Sequence, residues 1–349
     1  MRTCKRLGAA AFGTAMLTAS LAGTALAQDA EGFVDVSGSS TVEPISFLMA
    51  EEFNFMNPNW TYRVNGPGTT AGFEQFCNGE TDISDASRPI KDKEVENCAA
   101  NGITPVELKI GIDGLAVIVS QQNDTIECLN FTDLYAIFGK ESDDIRSWED
   151  AAAFAAELGS ETAGWPSGDI AITAPGDESG TWGSFIEITL EDIQEGRAEA
   201  GNTAAEGEPY TRQPGDIYVA SPNDNVIIDG VGANPNGIGF VGYAFAVNNS
   251  DRVRMVPIDG GDGQCIAPDE ETVAANTYPI ARDLFIYPEQ GRIDPASESY
   301  NPALAPFVDF YLTPEGQELV SLAGYVQLAE EALAETQAAW DAAKAEAGA

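Results

Sequence analysis

The stretch "DVSGSSTVEPISF" (residues 35–47) changes character at its centre. Before Gly38 it alternates apolar and polar residues, the period of a strand. After Thr41 its apolar residues fall at helical spacing, with Pro44 where a first helical turn accepts it. Ser40 and Glu43 stand three apart, the spacing of a capping box. The reading is a strand that enters a helix through a glycine and three hydroxyl residues. Two further stretches repeat the plan: "NGPGTTAGFEQF" (65–76) through Gly68, Thr69 and Thr70, and "APGDESGTWGSF" (174–185) through Ser179, Gly180 and Thr181.

Such a junction offers unpaired backbone N–H groups and the positive end of a helix dipole. Glycine lets a ligand approach the backbone, and hydroxyls add neutral donors. Converging on one cleft, these junctions make a site for a small tetrahedral oxyanion that needs little net positive charge. The simplest role of any one Ser or Thr before a helix is a cap. Three glycine-assisted junctions in one chain favour a ligand. Nucleotide motifs fit poorly: "GPGTTAG" sets its third glycine one position late for G-x-G-x-x-G, and no G-x-x-x-x-G-K-[ST] occurs.

Composition narrows the function further. Residues 1–27 have the pattern of an export signal: Arg2, Lys5 and Arg6, an apolar run, then "ALA" before Gln28. Cleavage there leaves 322 residues with 14 basic against 56 acidic side chains, a net charge near −42. That excludes nucleic acid, whose phosphates are held by clustered Lys and Arg, and disfavours an anionic membrane surface. No later run is apolar for long enough to span a membrane. The chain has no histidine, so Ser-His-Asp and Cys-His nucleophile systems are absent and most zinc sites with them. No cofactor or metal is expected.

Four cysteines remain after the leader, Cys77, Cys98, Cys128 and Cys265. In an exported protein they imply two disulfides in one of three connectivities. Cys77 with Cys98 and Cys128 with Cys265 is favoured, because it closes the shorter loop and leaves the other pair together.

Strand-like and helical runs alternate along the chain, the pattern of α/β architecture. Strands are expected at 33–38, 61–66, 82–87, 115–120, 169–175, 237–245 and 283–288. Helices are expected at 43–56, 71–78, 91–100, 132–138, 148–158, 181–194, 302–312, 314–323 and 327–346. The last reads as a solvated helix, and residues 196–215 as a loop.

Taken in order, six segments resemble the PstS-like periplasmic phosphate-binding proteins of ABC importers. "SGSSTVEPI" and "GPGTTAGF" are similar to the family's first two anion loops, and "DESGTWGSF" to its S-G-T loop. "DISDASRPI", "SPNDNVIIDGVGANPNGIGFVGYAFA" and "NTYPIARDLFIYP" complete the series. The resemblance implies a two-lobed Venus-flytrap fold of periplasmic-binding-protein class II. Lobe 1 would hold residues 28–113 and 280–349, and lobe 2 residues 114–279, joined by two hinge strands. It implies an extracytoplasmic, periplasmic monomer that is not an enzyme. This protein would capture inorganic phosphate and deliver it to an ABC transporter permease.

By matching positions, Thr41 and Thr69 become hydroxyl donors of lobe 1. Ser179, Gly180 and Thr181 become donors of lobe 2, with Ser40, Val42 and Thr70 adjacent. The chain departs from the family's best-known form at Pro175, where an arginine is usual. Arg88 stands where an aspartate is aligned. Arg88 is therefore expected to have taken over as the cation on the ligand, a planar fork suited to phosphate. Asp85, Asp113 and Asp177 are candidates to accept the proton that distinguishes hydrogen phosphate from sulfate. A sulfate or molybdate binder is the alternative. A secreted hydrolase with Ser179 as nucleophile is weaker, because no histidine and no G-x-S-x-G elbow is present. A surface adhesin sharing the fold would bind no anion.

Overall fold

The structure, a computed structural model, describes residues 32–177 and 179–348. The expected export signal lies outside the described residues. Three successive strand–helix units open the chain: β1 (Gly32–Gly38), α1 (Glu43–Met56), β2 (Trp60–Asn65), α2 (Thr69–Cys77), β3 (Ile83–Ala86) and α3 (Asp92–Ala100). There follow β4 (Leu108–Ser120), β5 (Leu129–Asn130), α4 (Phe131–Phe138), α5 (Trp148–Glu157), β6 (Ala171–Ala174), α6 (Gly180–Thr189) and α7 (Glu191–Glu199). Then come β7 (Tyr218–Ala220), α8 (Asp224–Ala233), β8 (Gly237–Gly242), α9 (Tyr243–Asn248), β9 (Val253–Met255), β10 (Ile258–Asp259), β11 (Cys265–Ile266) and α10 (Glu270–Ala274). The chain ends with β12 (Ala281–Pro288), α11 (Leu304–Tyr311), α12 (Pro314–Leu322) and α13 (Glu330–Ala347).

The main sheet runs β2-β1-β3-β12-β4-β8-β6-β7, with β9 beside β4. β1 is parallel to both its neighbours, and so is β6, as strand–helix–strand crossovers require. β4 and β12 are antiparallel to each other, with Arg282 opposite Asp113. β4 is shared: residues 108–114 pair with β12, and residues 115–119 pair with β8.

The apolar residues divide at the same place. One core takes Val34, Val36, Ile45, Met49 and Phe53 from the start of the chain, and Leu284, Phe307, Tyr311 and Trp340 from its end. A second is built wholly from the middle, with Val117, Phe138, Phe185 and Phe240 at its heart. Phe185 and Phe240 stack with ring centroids 3.8 Å apart. The first core makes an outer body from both chain ends, and the second makes a central body.

Several elements differ from the sequence reading. The helix expected over 181–194 is two, breaking at Leu190, and its second part runs to Glu199 inside the expected loop. The run 237–245 leaves the strand at Tyr243 and continues as α9. α13 is not a freely solvated helix. Thr336, Trp340 and Ala343, at i, i+4 and i+7, form one buried stripe in an otherwise polar helix. The Trp340 indole N–H donates to Asp309 Oδ1 at 2.7 Å. Both favoured disulfides are present, Cys77–Cys98 tying α2 to α3 and Cys128–Cys265 closing onto the small β5-β10-β11 sheet.

Asp85 also differs from expectation. It does not face the ligand loops as a proton reader. On β3, side chains alternate, and Asp85 points with Ile83 beneath α1, fully buried, its carboxylate beside the Ser46 hydroxyl but without a well-formed hydrogen bond on either oxygen. Its backbone is what touches the first loop: its carbonyl accepts from the Ser39 N–H at 2.9 Å. A Cβ on Gly38 would lie 2.0 Å from that carbonyl oxygen, so glycine is required there.

Burial pushes the Asp85 carboxyl up to about 7, the Ser46 hydroxyl offsetting part of the rise and Glu43 adding to it. An acid raised on folding favours the folded state only while protonated. Its contribution is full below the ordinary carboxylate range and is lost as pH rises through about 7. Asp85→Asn removes this dependence. The gap in unfolding free energy between variant and parent should grow in the variant's favour from pH 5 to pH 8.5, by up to about 3 kcal/mol. Denaturant titration across that range checks it, and a gap independent of pH would refute it.

Candidate functional site

α1, α2 and α6 start without any side chain capping them, at Val42, Gly68 and Ser179. α4, α5, α8, α10 and α12 are capped by Asn130, Ser147, Asn223, Asp269 and Thr313, whereas α7, α9, α11 and α13 also lack a side-chain cap. The capping box expected of Ser40 and Glu43 is not made. The helix begins later, because Val42 and Glu43 both donate to the Ser39 carbonyl and the Thr41 N–H donates to Ser39 Oγ at 3.2 Å. Ser40 is left exposed in the turn. At Gly68 the backbone takes φ +105°, a conformation that favours glycine, and so brings Thr69 to the head of α2.

The loops that lead into α1, α2 and α6 border one cleft of about 1190 Å³. Ser39, Ser40 and Thr41 come from the α1 loop, Gly68 and Thr69 from the α2 loop, and Ser87 from the end of β3. The opposite wall has Gly176 and Asp177 before α6, and Trp182, Gly183 and Glu187 on it. Gly180 faces the α1 loop, since a Cβ there would lie 4.0 Å from the Ser40 carbonyl oxygen and 3.7 Å from Tyr325 Oη. Ser179 and Thr181 flank Gly180 and are partly buried, and all three sit beside the cleft between its lining residues Asp177 and Trp182 without themselves lining it. Thr69 Oγ1 accepts from the Ser87 N–H at 3.3 Å and lies 3.1 Å from Ser87 Oγ.

Other expected residues are elsewhere. The Val42 side chain is fully buried in the outer body's core. Thr70 and Arg88 meet in a separate pocket of about 550 Å³. Arg88 is not the clamp on the cleft that the sequence suggested. Glu94, at the first turn of α3, takes both arms of its fork at 2.9 and 2.8 Å. Its guanidinium lies over the Phe73 ring at 5.6 Å, and Nη2 donates to Thr70 Oγ1 at 3.1 Å. Strand alternation explains this: Arg88 follows Ala86 to the α2–α3 side, whereas Ser87 turns to the cleft.

The arginine joined to the cleft residues is Arg282, on β12. Its Nε donates to Asp113 Oδ2 at 3.3 Å and its Nη1 to Glu187 Oε2 at 2.7 Å. Its Nη2 donates to Thr41 Oγ1 at 3.2 Å and to Ser184 Oγ at 3.0 Å. The two hydroxyl oxygens lie 3.2 Å apart, so the network joins outer body, crossing strands and central body. Burial raises the Asp113 carboxyl, with Arg282 opposing. Burial alone would lower Arg282, but Asp113 and Glu187 together raise it, so the cation is firmly charged. Because Thr41 Oγ1 accepts from a guanidinium, its own hydrogen points elsewhere, toward Ser184 or the cleft. The positive charge thus acts through a hydroxyl.

Asp113 is buried against Arg282, and Asp177 is exposed at the cleft wall. Sequence reasoning missed Ser87, Ser184, Glu187 and Arg282. Ser87, Ser184 and Arg282 lay inside quoted segments, but only strand pairing reveals that Arg282 meets Asp113. Ser184 and Glu187, one helical turn apart, carried the only local signal. Among the described residues no group of three His, Cys, Asp or Glu is placed to hold a metal ion. No described helix is long and apolar enough to cross a membrane.

Comparison with known proteins bears on this cleft. The family described as the PBP superfamily domain matches residues 19–315. The chain is 33% identical over 297 residues to Protein SphX of Synechococcus elongatus, covering 84% of this chain and 77% of that protein. It is 30% identical over 343 residues to the phosphate-binding protein PstS of Staphylococcus saprophyticus, covering 98% and 95%. The crystal structure of a possible phosphate binding protein from Planctomyces limnophilus aligns with TM-score 0.76 and 30% identity, over 90% of this chain and 99% of that one. PstS from Borrelia burgdorferi, at 23% identity and TM-score 0.58, shares the fold.

The Asp113–Arg282 pair gives a prediction of its own. Arg282→Met leaves a buried carboxylate unpaired and should cost about 3 kcal/mol of stability. Adding Asp113→Asn should recover a large part of it. Denaturant unfolding of the single and double variants measures the coupling, and simple additivity would refute it.

Proposed function

Since the chain belongs to the PBP superfamily, among the phosphate-binding proteins of the PstS kind, we propose that it captures inorganic phosphate in this cleft and delivers it to an ABC permease outside the cytoplasm. It does so as a binding protein, without turnover. The observation that carries this reading is the convergence on one cleft of three glycine- and hydroxyl-bearing loops that lead into helices without a side-chain cap, those of α1, α2 and α6. Their hydroxyl and backbone donors suit a tetrahedral oxyanion.

In this reading the lobes are residues 28–113 with 280–349, and residues 114–279. β4 and β12 form the hinge, and closure buries the anion. The donors are Ser40, Thr41, Thr69 and Ser87 from lobe 1 and Ser179, Gly180 and Thr181 from lobe 2. Arg282 supplies the positive charge, mainly through Thr41. Arg88 and Thr70 serve the α2–α3 side instead. Of the three candidate carboxylates only Asp177 lines the cleft, so discrimination against sulfate is assigned to it.

Titration calorimetry tests the reading. Phosphate binds, and equimolar sulfate does not displace it; displacement would instead favour a general oxyanion binder. Thr41→Val removes one hydrogen bond to a charged ligand and should weaken binding roughly tenfold or more. Arg88→Ala should change affinity less than about twofold, because Glu94 already neutralises that fork. The opposite ranking of these two variants would overturn the donor assignment.

A further inference from the structure

Glu187 is where the cleft wall and the site's cation meet. Carboxylates of Asp177, Glu187, Glu191 and Glu208 all line the cleft, yet among them Glu187 is the one bonded to Arg282. It is on the same face of α6 as Ser184, one turn on, and both reach the guanidinium. The other partners of Arg282 are fixed: Asp113 is buried opposite it on β4, and Thr41 and Ser184 are a hydroxyl pair beneath the cleft. Glu187 is not fixed. Its side chain is 45% exposed, against 14% for Arg282. It also stands in a crowd of like charge, since Glu191 is raised by burial and by repulsion from Glu195, Glu187 and Asp192.

Resting on the phosphate reading, we infer that Glu187 is an internal competitor for the ligand. Its carboxylate holds the Arg282 Nη1 donor that a bound phosphate takes, and phosphate gains direct contact with the cation by displacing it. The displaced side chain swings into water at small cost, because it is already half exposed. Affinity is thereby held below what the donor set alone would give.

The test is the phosphate dissociation constant of the full mature chain, by calorimetry, for parent, Glu187→Gln, Glu187→Asp and Glu191→Gln. Glu187→Gln should bind phosphate about threefold to tenfold more tightly. Glu187→Asp, too short to reach Nη1, should shift in the same direction. Glu191→Gln removes an equal charge from the same wall without touching Arg282, and should stay within about twofold of the parent. Equal tightening by Glu191→Gln would reduce the effect to bulk charge and overturn the inference. Unchanged or weaker binding by Glu187→Gln would overturn it too, the weaker case making Glu187 an acceptor for the phosphate proton. A parent that binds no phosphate would instead refute the function on which the inference rests.

Discussion

The pairing of Asp113 with Arg282 across β4 and β12 is the contact on which the site depends. Both residues are on strands that run between the two bodies. A buried carboxylate there fixes the guanidinium, and the guanidinium fixes Thr41 and Ser184, one hydroxyl from each body. Orientation of the donors therefore comes from the crossing itself and not from either body alone. A buried ion pair of this kind adds little net stability, because desolvation consumes most of the attraction. Its effect here is geometric.

The same arrangement answers a problem set by composition. A chain with 56 acidic and 17 basic residues repels dianions at every approach. A fully exposed arginine would soon be claimed by one of those acids, which is the fate of Arg88 and Glu94. Backbone N–H groups and hydroxyls cannot be claimed in that way. The loops at α1, α2 and α6 keep such donors by omitting caps, and Arg282, whose other donors are held by Asp113 and Glu187, reaches the cleft through Thr41.

Much of this was legible in the sequence. The period change at Gly38, the repeated glycine-hydroxyl junctions and the spacing of the cysteines are local signals, and the fold class, α1 and both disulfides follow from them. Arg88 was misread because its partner, Glu94, is separated from it by a turn whose direction depends on strand alternation past Ala86. Arg282 was passed over because its partners are 95 to 241 residues away in sequence, which no periodicity encodes. Asp85 was expected as a candidate acceptor of the phosphate proton, and only the packing of α1 over β3 shows it to be buried away from the loops. α13 hid a single apolar stripe under an Ala- and Glu-rich composition.

The outer body's core has a further consequence for how the chain is made. Val34, Ile45 and Phe53 need Phe307, Tyr311 and Trp340 to complete their enclosure. The fully buried residues of the central body's core all fall between Ile112 and Ile280. As the chain emerges from its N-terminus, the first strands and helices stay incompletely packed until almost the last residue has appeared, while the central body closes on its own. Two of the three glycine-hydroxyl loops, those before α1 and α2, thus lack their packed support until then, whereas the loop before α6 belongs to the body that closes first.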